Sequence, residues 1–528
     1  MILELLIGLC LLGSVVLFVT PNRYAGRLAA GWSLLPLALS LLMYAGFSGQ
    51  GNALLGGQLA YETTVQWVSL GPYTLNWHVG LDGISMPLIA LSTVLTTAAI
   101  LSAWTPIEER ENQFYGLVLF LEAGLIGVFA VLDFFVWFVF WEAVLVPMYF
   151  LVAIWGGPRR KYAAIKFFVY TNVASLVMFI GFFTLVFGLG DSIASLDMPA
   201  IAQALRAGEL GSLAGVGPGT LKTLAFAAMF AGFAVKVPIV PVHTWLPDAH
   251  VEAPTPVSVL LAGVLLKMGT YALLRFNFTM LPDVAQQYAA IIALFAVVSV
   301  IYGALLALAQ QDLKRIVAYS SVSSMGYVIL GLVAYTVYGV GGATFQMLSH
   351  GLISGLLFAC VGVIYNTTHT RMVDDMSGMA DRMPVTTSMF VAGSFAYMGL
   401  PLTSGFLGEY FVFLGTFHAD FPGAAWFTAI AMFGIVIVAG YLLYAMQRTL
   451  FGPFSVKTAH ADGGAMRTDG GEGSGSEAEH DIDRAAAHDI VPLAMLLALV
   501  IVLGVAPEIS FGMIRDAVGP LVTAGGAG

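Results

Sequence analysis

The sequence predicts an all-α, polytopic membrane protein of about fourteen transmembrane helices. Of its 528 residues, 59% are hydrophobic and only 10% are charged, and the mean hydropathy is +0.88. Soluble domains carry roughly 25% charged residues, so this chain has less than half of the charge that a soluble surface needs. The third observation is a series of apolar runs long enough to cross a bilayer, for which about 20 residues suffice.

Composition also excludes several function classes. Acidic residues outnumber basic residues by 31 to 21, so the chain offers no basic surface to a nucleic acid. The two cysteines, Cys10 and Cys360, lie far apart in apolar runs and form neither a disulfide framework nor a metal site. The sequence has no cysteine cluster for an iron–sulfur centre and no nucleotide or haem motif. We therefore expect no cofactor in this chain.

The apolar runs follow one another along the whole sequence. In chain order, the predicted spans are Met1–Val19, Leu28–Phe47, Ile84–Trp104, Phe114–Leu132, Phe134–Trp155, Ala163–Phe187, Leu221–Val240, Thr255–Phe276, Tyr288–Ala309, Lys314–Tyr335, Gly342–Asn366, Pro384–Phe417, Ala424–Leu450 and Ile490–Val505.

Two of these spans, the seventh and the twelfth, are interrupted. In the seventh, Pro238 and Pro241 follow Lys236, and in the twelfth, Pro401 precedes Glu409. Interrupted helices at corresponding positions are the mark of an inverted-repeat transporter. Five spans separate the breaks, and an odd number inverts the second unit.

The predicted organisation has five parts. They are helices 1–3 with an outer loop in residues 1–112, a first repeat of helices 4–8 in 113–276, a second, inverted repeat of helices 9–13 in 277–451, a flexible acidic cytoplasmic loop in 452–489, and a C-terminal helix in 490–528.

The positions of lysine and arginine orient the chain. Fourteen spans leave fifteen flanks that alternate between two sides. Fifteen of the 21 basic residues fall on one side, and only Arg206 and Arg515 fall on the other. Because cytoplasmic loops carry the excess of Lys and Arg, the sequence predicts a multi-pass protein of the cell membrane with both termini on the non-cytoplasmic side.

Several ionisable residues lie inside the spans, where charge is costly. A charged side chain at the bilayer centre costs roughly 2.5–3.5 kcal/mol on insertion scales, so each one needs a partner or a function. We interpret five of these residues as a proton relay, with water bridging the gaps: Glu142, Lys236, Lys267, His350 and Glu409. A supporting role is predicted for His243, Glu122 and Ser324. The alternative is that these groups form ion pairs or hydrogen bonds that only fix helix packing.

Four stretches of the sequence resemble a known family. WEAVLVPMYFLVAIWG, FAVKVPIVPVHTWLPDAHVEAPTPVSVLLAGVLLKMGTYALLRF, LKRIVAYSSVSSMGY and GLPLTSGFLGEYFVFLGTF are similar to the antiporter-like subunits of respiratory complex I, above all to subunit M, called subunit 4 in mitochondria. The resemblance covers nearly the whole chain. It implies fourteen core helices, two inverted five-helix repeats, and breaks in helices 7 and 12.

The resemblance also implies roles for the relay residues. Glu142 and Lys236 match the glutamate–lysine pair of the input half-channel, Lys267 the connecting lysine, His350 a central histidine, and Glu409 the terminal acidic residue. The chain departs from the family in SSVSSMGY, where Ser324 stands at the position of a histidine. Serine does not titrate near neutral pH, so a relay here must use water, a hydroxyl or another group at that step.

The family resemblance implies a function that this chain performs with other subunits. The expected function is proton translocation in a complex I-type quinone oxidoreductase, with iron–sulfur, flavin and quinone groups only in partner subunits. The expected partners are neighbouring antiporter-like subunits and the lipid bilayer. One alternative is a subunit of a multisubunit Na⁺/H⁺ antiporter or of a membrane-bound hydrogenase-type complex; Glu409 argues against the antiporter, whose subunits look to carry lysine there. Another is a membrane scaffold whose charges are only structural.

Overall fold

The computed structural model describes residues 1–457 and 485–525, and most of these residues are helical. The first half of the chain contains α1 (Ile2–Val19), α2 (Asn22–Ala45), β1 (Ala60–Leu70), β2 (Tyr73–Leu81), α3 (Ser85–Ser102), α4 (Glu111–Ala130), α5 (Phe134–Ala143), α6 (Leu145–Trp155), α7 (Arg160–Leu189), α8 (Met198–Arg206), α9 (Pro218–Lys236), α10 (Trp245–Glu252), α11 (Thr255–Leu260) and α12 (Leu266–Ala272). The second half contains α13 (Pro282–Gln287), α14 (Ala289–Leu308), α15 (Leu313–Val333), α16 (Val337–Thr368), β3 (Met376–Ser377), α17 (Met379–Arg382), α18 (Pro384–Tyr397), α19 (Ser404–Phe417), α20 (Ala424–Leu450), β4 (Ser455–Val456), α21 (Ala487–Val505) and α22 (Glu508–Gly525).

Within the described ranges, thirteen helical segments are long and apolar enough to cross a membrane. The twelfth predicted span is not among them because it is broken into α18 and α19, of 14 residues each. At 1.5 Å per residue, each half is about 21 Å long, short of the roughly 30 Å hydrocarbon core. Counting this broken span, the described part of the chain has fourteen spans, and the predicted all-α membrane fold is confirmed.

The spans differ in how deeply they are buried. The eighth span, Thr255–Thr279, combines α11, α12 and two π-helical segments, Leu261–Leu265 and Leu273–Thr279. The central 18-residue stretches of this span and of α16 are fully buried, and that of α15 almost so. Helices at the rim, such as α2 and α21, instead expose an apolar face. Polar side chains on the central helices are therefore enclosed by protein rather than exposed to lipid.

A β-hairpin occupies the long outer connection between α2 and α3, where the sequence analysis placed no strand. Strands β1 and β2 pair antiparallel and turn at Gly71, whose φ is +59°. Threonine, valine, tryptophan and tyrosine dominate the two strands, as is typical of half-buried sheets. The hairpin and α8 both belong to connections that the basic-residue count assigns to the outer side.

A histidine–carboxylate cluster joins this hairpin to the start of α8. His78 Nδ1 lies 2.5 Å from Asp197 Oδ1, and His78 Nε2 lies 3.1 Å from Glu62 Oε1. Burial alone would lower the pKa of His78, but the hydrogen bonds and charges of Asp197 and Glu62 outweigh burial and raise that pKa above its ordinary value of 6.5. Asp133, which caps α5, is also near Asp197. The cluster therefore favours a protonated His78.

We expect the hairpin to loosen as pH rises through the raised pKa of His78. A group whose pKa is raised by folding stabilises the folded state fully at a pH below its pKa in the unfolded chain. This stabilisation is lost as the pH rises through its pKa in the folded chain. Hydrogen exchange of residues 60–81 in the intact complex, corrected for intrinsic exchange, should be faster at about pH 9 than at about pH 6. A His78→Gln variant should remove this difference. An equal pH response in the variant would contradict the assignment.

The C-terminal region differs from its prediction. Residues 490–528 were predicted to contain one helix, but they contain most of α21 and a second helix, α22. The chain leaves the helical conformation at Ala506, and Pro507 follows. Of the predicted acidic loop, residues 458–484 lie outside the described residues. Its described start includes β4, which pairs with β3.

Candidate functional site: a buried row of ionisable side chains

Lys236 is the last residue of α9 and lies at the break of the seventh span. The residue is 2% exposed, and its Nζ has no hydrogen-bond partner among the residues described. The Nζ lies 5.2 Å from the ring centroid of Trp141, within the range of a cation–π interaction. Aromatic ring faces, those of Trp141 and Phe167, are therefore the groups that lie near the Lys236 ammonium among the residues described.

Side chains satisfy the backbone groups that this break frees. Trp245 Nε1 donates a hydrogen bond to the carbonyl of Val235 at 2.8 Å, and the Val240 backbone N–H donates to Ser299 Oγ at 3.0 Å. Irregular backbone at membrane depth is tolerated only where such partners are available. The interrupted backbone of the seventh span is thus stabilised by side chains of the protein interior.

Glu142 lies on α5, beside Trp141 in sequence, and is partly buried. Asn172 Nδ2 donates to its carboxylate at 3.5 Å. No hydrogen bond joins Glu142 to Lys236 among the residues described, but the two side chains are close enough to interact electrostatically. The structure therefore places the predicted pair together without a direct contact.

Lys236 also approaches the helix that carries Lys267. A Cβ added to Gly269 would lie 3.1 Å from the Cβ of Lys236 and 2.9 Å from the backbone nitrogen of Val237. The absence of a side chain at Gly269 lets α12 approach the end of α9 closely. This approach is two residues beyond Lys267, so the break of the seventh span adjoins the next member of the predicted row.

Lys267 and His350 are in direct contact. Lys267 Nζ lies 2.6 Å from His350 Nδ1 and donates to the carbonyl of Ala262 at 2.5 Å. Ala262 belongs to the π-helical segment Leu261–Leu265; such segments are frequent at functional sites. Both ionisable residues are at most 1% exposed.

This contact has a simple chemical consequence. An ammonium has donors only, so a charged Lys267 donates to a neutral His350 Nδ1; a neutral amine instead accepts the Nδ1–H of His350. When His350 is the imidazolium in the second arrangement, the two arrangements differ only in which nitrogen of this short hydrogen bond holds the proton. The pair can therefore exchange a proton with almost no movement of heavy atoms.

Glu409 lies on α19, just after the break of the twelfth span, and is 6% exposed. Its Oε2 points toward Gly399, where φ is +74°; a Cβ there would be 2.8 Å from that oxygen. His350 Nε2 has no hydrogen-bond partner in the part of the chain described. A small cavity lies between the His350 imidazole and the Glu409 carboxylate, and Ser324 and Gln346 also line it.

The three supporting residues lie in different places. Ser324 lines the cavity at the predicted step, where its Oγ accepts a hydrogen bond from Gln346 Nε2 at 3.3 Å. Glu122 is fully buried and faces Cys10 of α1. The ring of His243 lies 5.8 Å from that of Tyr302. In the described residues no hydrogen bond or ring contact connects Glu122 or His243 with the five relay residues.

Four further polar residues of this region were not singled out from the sequence. They are His250, Lys314, Gln346 and Tyr397.

Sequence signals existed for two of them. Gln346 is four residues before His350 and thus on the same face of α16. His250 is the second histidine of VPVHTWLPDAH; its ring stacks on Phe358, with centroids 4.5 Å apart, and neither ring nitrogen has a hydrogen-bond partner in the described chain.

Comparison with known proteins agrees with the fold. The family model described as "NADH:quinone oxidoreductase/Mrp antiporter, TM" matches residues 131–438. The chain is 42% identical to "F(420)H(2) dehydrogenase subunit M" of Methanosarcina mazei, over 86% of this chain and 88% of that protein. It is 39% identical to "NADH-quinone oxidoreductase subunit M" of Rhodobacter capsulatus, over 95% of this chain and 90% of that protein.

A solved structure shares the same architecture. A chain of respiratory complex I from Thermus thermophilus superimposes with a TM-score of 0.81 at 25% identity, covering 99% of this chain and 100% of that one. The chain therefore belongs to the family of NADH:quinone oxidoreductase and Mrp antiporter membrane subunits, and within it to the antiporter-like subunits named M or chain 4.

Proposed function

We propose that this chain is a proton-translocating membrane-arm subunit of a complex I-type quinone oxidoreductase. The observation that carries the proposal is the 2.6 Å contact between Lys267 Nζ and His350 Nδ1, two buried side chains on two central spans. A structural ion pair would join opposite charges, whereas this contact joins two groups that can each be cationic. Such a contact is stable when the two groups together carry one positive charge rather than two. The pair can then accept a proton at one end and release one at the other, as a relay requires.

The proton moves along the row in the order Glu142, Lys236, Lys267, His350, Glu409. A carboxylate near an ammonium stabilises the charged form, and its withdrawal favours release of the proton. Because Glu142 does not touch Lys236 directly, a small change in their separation alters how firmly Lys236 holds its proton. Water is required between Lys236 and Lys267 and between His350 and Glu409.

Redox chemistry supplies the driving force from other subunits. Iron–sulfur centres, flavin and quinone belong to those partners in our proposal, and this chain contributes no redox group. The relatives named above include an F(420)H(2) dehydrogenase and an NADH–quinone oxidoreductase subunit. Because these names refer to different electron donors, they favour a membrane subunit that works in the same way whichever donor the complex oxidises.

The proposed location is the cytoplasmic membrane, with both termini on the non-cytoplasmic side. The support is the distribution of lysine and arginine over the flanks of the spans. Apolar faces exposed on rim helices such as α2 and α21 are available to lipid and to neighbouring antiporter-like subunits.

The main alternative is a Na⁺/H⁺ antiporter subunit, since the matching family includes Mrp antiporters. Two observations favour the redox-driven reading: the subunit M relatives cover about nine-tenths of both chains, and an acidic residue, Glu409, closes the row. A membrane-bound hydrogenase-type complex is the second alternative. In a pure scaffold, none of the row residues would be needed for transport.

Purification of the tagged chain with its native partners separates these alternatives. We expect quinone-reducing subunits to co-purify. In vesicles, quinone reduction should build a pH gradient that does not require Na⁺. Na⁺-driven proton exchange without quinone reduction would instead identify an antiporter, and hydrogen formation without quinone reduction would identify a hydrogenase-type complex; either result contradicts the proposal.

A further inference from the structure

We propose that the cavity between His350 and Glu409 is a built site for one ordered water molecule, and that Gln346, Ser324 and Tyr397 position this water to carry the proton across the step at which Ser324 replaces a histidine. The inference rests on the proposed proton-translocating function and assigns one step of it. It concerns residues of α15, α16, α18 and α19, which converge at the break of the twelfth span.

The size of the cavity matches one water molecule. The space open to the centre of a water molecule is about 10 Å³, close to the minimum volume that a buried water needs. The lining includes the side chains of Ser324, Gln346, His350, Tyr397 and Glu409. A water also needs two to four polar partners, and this lining provides them.

Three of these polar groups lack a partner although they are more than nine-tenths buried. Gln346 is 4%, His350 1% and Tyr397 7% exposed. Gln346 Oε1, His350 Nε2 and the Tyr397 hydroxyl have no hydrogen-bond partner within the described residues. Leaving buried polar atoms unpaired is strongly unfavourable, so three such atoms around one cavity indicate a shared polar ligand.

The orientation of Gln346 is fixed from both ends. Its Nε2 donates to Ser324 Oγ at 3.3 Å, which leaves Oε1 as a free acceptor. A Cβ added to Gly408 would lie only 2.0 Å from Oε1, so only glycine at position 408 allows the amide to lie there. Neither Gln346 nor Ser324 titrates near neutral pH. Their role is to position the water.

The proton step is balanced and needs no other reactant. The Nε2–H bond of the protonated His350 breaks as an O–H bond forms on the water. One of the original O–H bonds of the water breaks, and its proton joins a carboxylate oxygen of Glu409. The water is regenerated, the imidazolium and the carboxylate both become neutral, and nothing is oxidised or reduced.

A serine–water step and a histidine step differ in one property. An imidazole can hold the proton between two transfers, whereas a water cannot at neutral pH. A histidine introduced at position 324 should therefore displace the water, with small shifts of the cavity lining, and restore transfer where the water has been lost. This rescue distinguishes a positioning role from a merely structural one.

The test compares four variants in the intact complex: Gln346→Leu, Ser324→His, the double variant Gln346→Leu/Ser324→His, and Thr344→Val as the control. Thr344 is a buried residue of the same helix whose hydroxyl bonds only its own helix, at Val340. We expect Gln346→Leu to slow redox-driven proton translocation on the order of tenfold or more. Thr344→Val should leave it unchanged. Ser324→His should translocate protons with a shifted pH profile, and the double variant should recover most of the activity that Gln346→Leu loses.

High-resolution electron cryo-microscopy of the same complexes provides the second measurement. An ordered water within about 2.6–3.2 Å of His350 Nε2 and Gln346 Oε1 should appear in the wild type and be absent in Gln346→Leu. Full pumping in Gln346→Leu, no rescue by histidine, or no ordered water at this site would each overturn the inference. When one of these contrary results is obtained, the Lys236→Ala variant shows what has failed. Normal pumping in Lys236→Ala means that the proposed function is wrong, whereas loss of pumping in Lys236→Ala means that only the water site is wrong.

Discussion

Lys267→Met is expected to slow proton transfer through this subunit on the order of 100-fold or more, the usual scale for losing a positioned proton-transfer group. Methionine keeps the length of the side chain but removes the nitrogen that lies 2.6 Å from His350 Nδ1. No second ionisable group forms a hydrogen bond with His350 in the part of the chain that the structure describes. The row is thus interrupted at its centre.

The measurement is redox-driven acidification or alkalinisation in vesicles that contain the whole complex, followed with a pH-sensitive dye. Because Lys267 and His350 act as one unit, the double variant Lys267→Met/His350→Phe should be no slower than the slower single variant. Ser354→Ala serves as the control, since Ser354 lies one turn from His350 and bonds only its own helix. Additive losses, or normal pumping in Lys267→Met, would contradict a shared proton step.

Arg275→Met is expected to produce the largest loss of stability, about 3–5 kcal/mol. Arg275 Nη2 lies 2.6 Å from Asp82 Oδ1, and the two side chains are 2% and 0% exposed. Asp82 also accepts hydrogen bonds from the backbone N–H groups of Ala53 and Ser85, so it ties the start of α3 to the outer loop and to the eighth span. Without the guanidinium, a buried carboxylate is left unpaired.

Thermal unfolding of the solubilised complex, or the amount of this subunit retained in it, measures the effect. The double variant Arg275→Met/Asp82→Asn should recover part of the loss because the unpaired charge is gone. Lys222→Met is the matched control: it breaks an ion pair with Asp283, whose side chain is 58% exposed, and should cost about 0–1 kcal/mol. Equal losses of stability in Lys222→Met and Arg275→Met would show that burial of the Arg275–Asp82 pair does not determine the cost of breaking it.

The architecture could be predicted from the sequence because bilayer physics leaves few choices. Continuous apolar runs gave thirteen spans, and the prolines around Lys236 and Glu409 marked the two breaks. The β-hairpin was missed because its strands lie in a polar connection, outside the hydropathy signal. The α22 helix was missed because its sequence mixes glycine, proline and charged residues with apolar ones.

The site could be predicted only in part. Depth in a span and the family resemblance pointed to the five relay residues, and the structure brings Lys267 into contact with His350. Span depth cannot show which face a side chain occupies, so the contact of Glu122, a predicted supporting residue, with Cys10 of α1 could not be foreseen. The cavity beside Ser324 depends on packing between four helices and has no sequence signature. The roles of all these residues stay predictions until transport is measured.

The ratio of protons translocated to electrons transferred, measured in vesicles that contain the complex with Lys236→Ala, tests the central claim most directly. Lys222→Ala is the matched control, because Lys222 lies near the other end of the same helix, α9, in a partly exposed ion pair. If buried ionisable groups conduct protons, the ratio falls by the whole share of this subunit in Lys236→Ala and stays at the wild-type value in Lys222→Ala. An unchanged ratio in Lys236→Ala, with the complex fully assembled, would show that protons do not cross this subunit by way of Lys236.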